Sequence, residues 1–329
     1  MSNFIKNTPE AQSWINKAIL HHSQKGAFGK VISGIIWTNS KNDAGEIIVP
    51  VDPVELVNQI NNDPFILLHS HDPGKPLGQV LESAYFENKF DEKFIVAILA
   101  FYAGGEILKF QELGLDTKIS VLSPKVLPTL SDDIWIDFGT DPREVDIEWV
   151  KQVIEDAPLP INQLDLSHNS AELAQELIRV GVVFLLLVWN PFVTKIATEA
   201  GKDTYAALHK WFKKLLKKLA DRKNPILDIQ TFQDNCQVSF LFRSKDIKIS
   251  YEGHDKLPDA AAQAAQFIAK LKAREMPVKR LIYEFDQETL KWFPSYAVLY
   301  DDRIITDNSM LIALEQIPMG LSLGITTKK

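Results

Sequence analysis

The sequence has very little cysteine. Cys236 is the single cysteine among 329 residues, so no disulfide can form within the chain, and a zinc site built from several cysteines is excluded. The first residues, MSNFIKNTPEAQSW, lack the basic stretch followed by an apolar stretch that a secretory leader needs. Both absences predict a protein of the reducing cytoplasm.

The sequence also lacks an excess of basic residues. Its formal net charge is -7, which argues against nucleic acid as a partner, because phosphate binding needs a basic surface. No glycine-rich phosphate loop or nucleotide fingerprint is present, and we expect no cofactor. The hydrophobic fraction of 46% is ordinary for a globular protein, and the length predicts two or three domains.

The pattern of apolar residues predicts an α+β protein with three parts. A helix should begin at Thr8-Pro9. Residues 30–127 are rich in short β-branched runs, EIIVPV at 46–51 among them, separated by Asn, Asp, Gly and Pro, and a short helix is predicted at 52–60. Residues 129–225 are predicted to be helical. Residues 226–329 follow the order strand, strand, helix, strand, strand, which predicts a small antiparallel α/β sandwich. The expected domains are therefore 1–128, 129–225 and 226–329.

The segment FILLHSHDPGKPLGQVLES, residues 65–83, is the most informative part of the sequence. A predicted strand carries His69 and His71 to the start of a loop, with both side chains on one face of the strand. Asp72 and Lys75 follow in a loop that its prolines and glycines make rigid. Ionisable groups at the end of a strand favour a binding or catalytic site.

These residues give the N-terminal part a resemblance to the capsid-maturation (prohead) serine proteases of tailed phages. DAGE at 43–46, HDPGKPLG at 71–78 and KISVLSPKVLP at 118–128 match motifs of that family in the same order. The resemblance covers about residues 30–128 and implies a β-barrel-like domain. It also implies that His71 is the general base for a serine nucleophile.

The interval in which that family carries its nucleophile reads YAGGEILKFQELGLDTK here and contains no serine. Ser120 and Ser123, in the next predicted strand, are the alternative nucleophiles for a peptidase that uses His71. A second alternative keeps the fold without the chemistry and binds a peptide through His69, Asp72 and Lys75.

Two further alternatives concern the same segment. In the first, the histidines cap the strand and Asp72 starts a turn through its own backbone. In the second, the two histidines of the H-x-H pattern bind one zinc ion. Gln79 and Glu82 stand where a zinc-dependent deubiquitinase-like protease has serine and aspartate, so we expect no metal.

Residues 178–219 are predicted to form two helices that could contact a membrane surface or a partner. The run VGVVFLLLVW at 180–189, with Phe184 and Trp189, is shorter than the roughly 20 residues of a membrane-spanning helix. The next helix is amphipathic and basic, with Lys213 and Lys217 on its polar face. The alternative for this helix is a core-packed position with solvated lysines.

Taken together, these features predict a non-catalytic protein that binds a protein or peptide and mediates assembly. A serine peptidase and a membrane-associated effector are the two alternatives. The last apolar stretch, PMGLSLGITT at 318–327, could add a strand to a neighbouring sheet, so we expect a homo-oligomer. By analogy with the phage family, a bacterial role in phage-related or defence biology is expected.

Overall fold

The structure is a computed structural model that describes residues 3–49, 51–69, 72–117, 135–166, 176–181, 199–308 and 312. These residues belong to two units. Unit 1 contains the described residues through Ile107, together with Asn308 and Ile312, and unit 2 contains those from Leu108 to Asp307. Both units combine helices with a β-sheet, so the predicted α+β class is confirmed.

The described part of unit 1 forms one antiparallel sheet with three helices. The elements are α1 (Asn3–Lys6), α2 (Pro9–Ser23), β1 (Lys30–Thr38), α3 (Pro53–Asn62), β2 (Ile66–Leu68), β3 (Pro76–Glu87) and β4 (Lys93–Phe101). The strand order is β1-β4-β3-β2. In this order β1 and β2 lie at the edges of the described sheet. The predicted barrel-like domain includes residues 118–128, which lie outside the described residues, so the barrel stays a prediction.

Two of the described helices of unit 1, α2 and α3, begin where the sequence predicts. Proline occupies the first turn of α2 and of α3, and the Asp52 carboxylate accepts hydrogen bonds from two backbone N–H groups at the start of α3. Ile15 of α2 packs against one face of the sheet with Phe94 and Val96 of β4. Ile60 of α3 packs in a separate apolar cluster, with Val80 among its members.

Two local predictions in unit 1 are wrong. The run EIIVPV was expected to be a strand, but Ile47 makes only an isolated bridge to Lys41. Residues from Pro76 onward were expected to continue the loop, but they form the 12-residue strand β3. The prolines and glycines signalled a turn, whereas pairing with β4 from Gly78 onward determines the extended conformation.

Unit 2 contains the second sheet and its helices. The strands of this sheet are β5 (Ile107–Leu108), β6 (Ile136–Thr140), β7 (Ile161–Asp165), β8 (Glu176–Gly181), β9 (Pro225–Gln233), β10 (Cys236–Phe242), β11 (Val278–Asp286), β12 (Lys291–Leu299) and β13 (Ile304–Ile305). The helices are α4 (Ile147–Ile154), α5 (Glu199–Ala220), α6 (Ile247–Asp255) and α7 (Leu257–Lys272). The strand order is β5-β13-β12-β11-β10-β9-β8-β6-β7.

The large sheet is mixed, which corrects the predicted antiparallel sandwich. The strand and helix order after residue 226 matches the prediction, but β10 pairs with β11 in parallel. Parallel neighbours need a long crossover, and α6 and α7 supply it. The pairs β8–β9 and β6–β7 are also parallel.

The central part of the chain contains the helices α4 and α5, in agreement with the predicted helical segment, but it also contains strands that the sequence did not predict. Residues 136–140, 161–165 and 176–181 are strands, and β8 pairs directly with β9. The central and C-terminal strands therefore share one sheet. Residues 182–198, with Phe184 and Trp189, lie outside the described residues.

The core of unit 2 lies between this sheet and its helices. Helix α5 contributes a continuous apolar stripe, and each of these side chains is at most 4% exposed: Leu208, Trp211, Phe212, Leu215, Leu216 and Leu219. The indole N–H of Trp211 donates a hydrogen bond of 2.9 Å to the backbone carbonyl of Val153 in α4. Cys236 is buried in the same core.

Candidate functional site

The loop between β2 and β3 is short and closed by its own backbone. The Asp72 N–H donates to the His69 carbonyl at 3.0 Å, and the His69 N–H donates to the Lys75 carbonyl at 2.9 Å. The Lys75 N–H in turn donates to the Asp72 carbonyl at 2.9 Å. These bonds join the described ends of the loop to each other, and the side chains of His69 and Lys75 are exposed.

Asp72 is the buried centre of this loop. One carboxylate oxygen accepts a 2.9 Å hydrogen bond from the Gly74 N–H, and the other lies 3.2 Å from Nζ of Lys75. The side chain is fully buried. Asp72 thus starts a turn through the backbone, as one of the sequence alternatives predicts, and a partner could touch it only if the loop opened.

The three residues of the predicted peptidase site, His71, Ser120 and Ser123, lie outside the described residues. The peptidase therefore stays a prediction. Of the residues predicted to bind a peptide, His69 and Lys75 are at the surface, whereas Asp72 is part of the loop framework.

Near this loop, β3 carries two polar contacts that the sequence did not single out. The Gln79 amide donates a 2.8 Å hydrogen bond to the buried Tyr102 hydroxyl. His22, at the end of α2, lies 3.3 Å from the Glu82 carboxylate. Burial is the main cause that lowers the pKa of His22. These contacts join distant segments, so local sequence patterns carry no signal for them.

Unit 1 also exposes a cluster of large apolar side chains, which we call the apolar ridge. It precedes and enters α3, and its residues are between 40% and 59% exposed: Ile47, Ile48, Val51 and Val54. Two hydrogen bonds to its backbone hold this segment in place. The Trp37 indole donates to the Val49 carbonyl at 2.9 Å, and the Ile48 N–H donates to the Ser40 carbonyl at 3.0 Å. Several exposed apolar residues held together are typical of an interaction surface.

Unit 2 contains a histidine pair that the sequence also did not reveal. His209 of α5 and His254 of α6 stack edge to face with ring centroids 4.7 Å apart. Burial is the main cause that lowers both pKa values, that of His209 to about 4. The charge of Lys213 lowers both pKa values further. The carboxylate of Asp255, 3.1 Å from Nδ1 of His254, raises them.

Acidification should therefore destabilise unit 2. A histidine whose pKa is lower in the folded state than in the unfolded state stabilises the fold above pH 6.5, and this stabilisation is lost as the pH falls toward 4. A pKa of about 4 for His209 corresponds to about 3 kcal/mol, which partial solvent exposure reduces to about 2 kcal/mol.

Urea unfolding followed at pH 7 and at pH 4.5 measures this effect. We expect His209→Gln to remove a substantial part of the loss of stability seen in the wild type. His21→Gln, at an exposed position of α2, is the control and should leave the loss unchanged. An identical pH dependence of the wild type and His209→Gln would show that the pair does not couple protonation to folding.

The basic face of α5 is directed to neighbouring helices and solvent. Nζ of Lys213 lies 5.3 Å from the ring centre of Tyr251 in α6, and Lys217 is exposed. Since the apolar stripe of α5 is buried in the core of unit 2, the structure favours the core-packed alternative over contact with a membrane. No helix in the described ranges has the length and apolar character that crossing a membrane requires.

The described residues contain no cluster of three or more His, Cys, Asp or Glu side chains that could hold a metal ion. Comparison with known proteins found no matching family model, no similar curated protein and no similar solved structure.

Proposed function

We propose that this chain is a non-catalytic binding protein, and that the apolar ridge of unit 1 holds apolar side chains of a protein or peptide partner. The observation that carries the proposal is the exposure of four large aliphatic side chains within eight residues. Apolar residues at the centre of an interface are normally surrounded by polar groups. Asn42 and Glu46 precede the ridge and Asp52 lies within it, so polar groups accompany the apolar ones.

The ridge suits binding because it is ordered before a partner arrives. The Asn42 side chain accepts hydrogen bonds of 3.0 Å from the N–H groups of Ala44 and Glu46, and Asp52 caps α3. A segment whose backbone is already fixed loses little conformational entropy on binding. Binding at the ridge therefore costs little free energy for ordering its backbone.

The Asp72 carboxylate belongs to the framework that carries the surface residues of this loop. One of its oxygens accepts a hydrogen bond from the Gly74 N–H, and the other lies 3.2 Å from Nζ of Lys75. His69 and Lys75 are exposed on this framework, where a partner could contact them. In this proposal the resemblance to the phage proteases concerns a scaffold, and the cytoplasm is the proposed compartment.

A displayed library of random peptides, selected on the full chain, tests the proposal. Selected peptides should bind the wild type with a Kd below about 100 μM, and the variant Val51→Lys with Val54→Lys should weaken binding at least about tenfold. Leu20→Lys is the matched control, since Leu20 is an equally apolar side chain, 62% exposed, on α2. It should change the Kd less than about twofold.

Two results would contradict the proposal. One is a selection that yields no peptide of this affinity, and the other is equal binding by the ridge variant and the wild type. Labelling of the wild type by a fluorophosphonate probe, lost in His71→Ala, would instead establish the serine peptidase.

A further inference from the structure

Strand β1 lies at an edge of the described sheet in unit 1. It pairs with β4 from Lys30, opposite Phe101, to Thr38, opposite Phe94. Among the described residues, no backbone hydrogen bond joins its other side to any segment. An edge strand of this kind presents unpaired N–H and C=O groups to which another strand can be added.

Most of this edge lacks the features that usually prevent such pairing, because its lysine and its β-bulge lie near the two ends of the strand. Natural edge strands are protected by being short or by carrying charged residues or proline. β1 has nine residues, and after Lys30 it has neither charge nor proline. The opposite edge, β2, has only three residues and ends at the closed loop described above. A β-bulge near Ile36 leaves the first six residues of β1 as the regular part of the edge.

Both faces of β1 carry apolar side chains that are only partly covered. Ile35 lies at the border of the cluster formed with α2, and Ile32 lies at the border of the cluster that contains Leu99 and Ile60. A strand added beside β1 would bury more of both side chains. Such cross-strand contacts are a main source of sheet stability.

We propose that two copies of this chain associate through β1 in an antiparallel, two-fold arrangement centred on Ser33. Ser33 then faces Ser33 of the partner subunit, Val31 faces Ile35 of the partner subunit, and Ile32 faces Gly34 of the partner subunit. Two four-stranded sheets become one antiparallel sheet of eight strands. A two-fold contact uses the same surface on both copies, so each apolar contact across the edge occurs twice in the dimer.

Charge placement favours a second copy as the occupant. Lys30, the one charged residue of β1, faces the bulge at Ile36 of the partner subunit, so no like charges are opposed. The net charge of -7 on each copy opposes approach, but at physiological ionic strength this repulsion is screened beyond about 8 Å.

Light scattering after size-exclusion chromatography tests the association. At concentrations of tens of micromolar, the wild type should have a molar mass of twice the 37.2 kDa of one chain. The variant Ser33→Lys should have the molar mass of one chain. Phe65→Lys, next to the opposite edge at β2, is the matched control and should keep the double mass. A wild type that stays at the single mass up to about 100 μM overturns the proposal.

Cross-linking tests the register and does not depend on a charge in the strand. Cys236→Ser provides a chain without cysteine, and Ser33→Cys in this background should form an intermolecular disulfide on mild oxidation, because paired residues bring their Cα atoms within about 6 Å. Leu20→Cys is the control: its site is more exposed, so random collisions would cross-link it at least as fast.

Equal cross-linking at both sites, or cross-linking at Leu20→Cys alone, overturns the two-fold arrangement. The ridge variant Val51→Lys with Val54→Lys should keep the double mass, since the ridge is not part of this edge. A failure of the proposed dimer is therefore distinct from a failure of the proposed binding function.

Discussion

Gly78→Ala is expected to destabilise unit 1 by about 3 kcal/mol or more. A Cβ atom at Gly78 would lie 1.8 Å from the carbonyl oxygen of Ala100 and 2.9 Å from the Cα of Phe101. Both atoms belong to the backbone of β4, which pairs with β3 at this point. No side-chain rotation can relieve the overlap, so one strand must move and lose hydrogen bonds.

Urea unfolding monitored by circular dichroism measures this change. Gly34→Ala is the matched control in the same sheet, because its Cβ would approach only the flexible end of the Leu99 side chain, at 3.1 Å. We expect the control to change stability by less than about 1 kcal/mol. If the two variants were equally stable, the close approach of β3 and β4 at Gly78 would be disproved.

Arg179→Met is expected to destabilise unit 2 by about 3–5 kcal/mol, because it leaves a buried charge without its cation. Nε of Arg179 donates a 3.0 Å hydrogen bond to the carboxylate of Asp228, whose side chain is fully buried. The Gln230 amide donates to the same oxygen at 2.8 Å. An amide cannot balance the charge of the carboxylate, so the guanidinium is the essential partner.

A double variant separates the ion pair from simple loss of packing. Arg179→Met combined with Asp228→Leu removes both charges, and we expect it to recover most of the lost stability, since replacing a buried pair by apolar residues is often close to neutral. Lys214→Met is the control: its ion pair with Asp156 is exposed, and its removal should have no measurable effect. If the double variant lost as much stability as the two single variants together, the two charges would not interact.

Several elements could be predicted from the sequence because their signals are local. The helices α2 and α3 have proline in the first turn, and Asp52 caps α3. The strands β1 and β4 are β-branched apolar runs. The turn at Asp72 follows from a side chain that bonds to backbone two residues on.

The candidate site was predicted only in part. The loop carrying His69, Asp72 and Lys75 was identified from residue types and spacing. The apolar ridge was not, because a run such as EIIVPV has the composition of a buried strand. Whether such a run is buried depends on which segments cover it, and composition does not contain that information.

By itself, the sequence determined the α+β class of the protein, the starts of α2 and α3, and the order of the strands from β9 to β12 around a helical connection. Helix caps and apolar periodicity depend on neighbours within a few residues, so they can be read along the chain. Only the tertiary structure decided that β10 and β11 run parallel, that the central strands join the C-terminal sheet, and that Arg179 neutralises Asp228. These features join residues some 40 to 50 positions apart, and their stability depends on burial that no local pattern specifies.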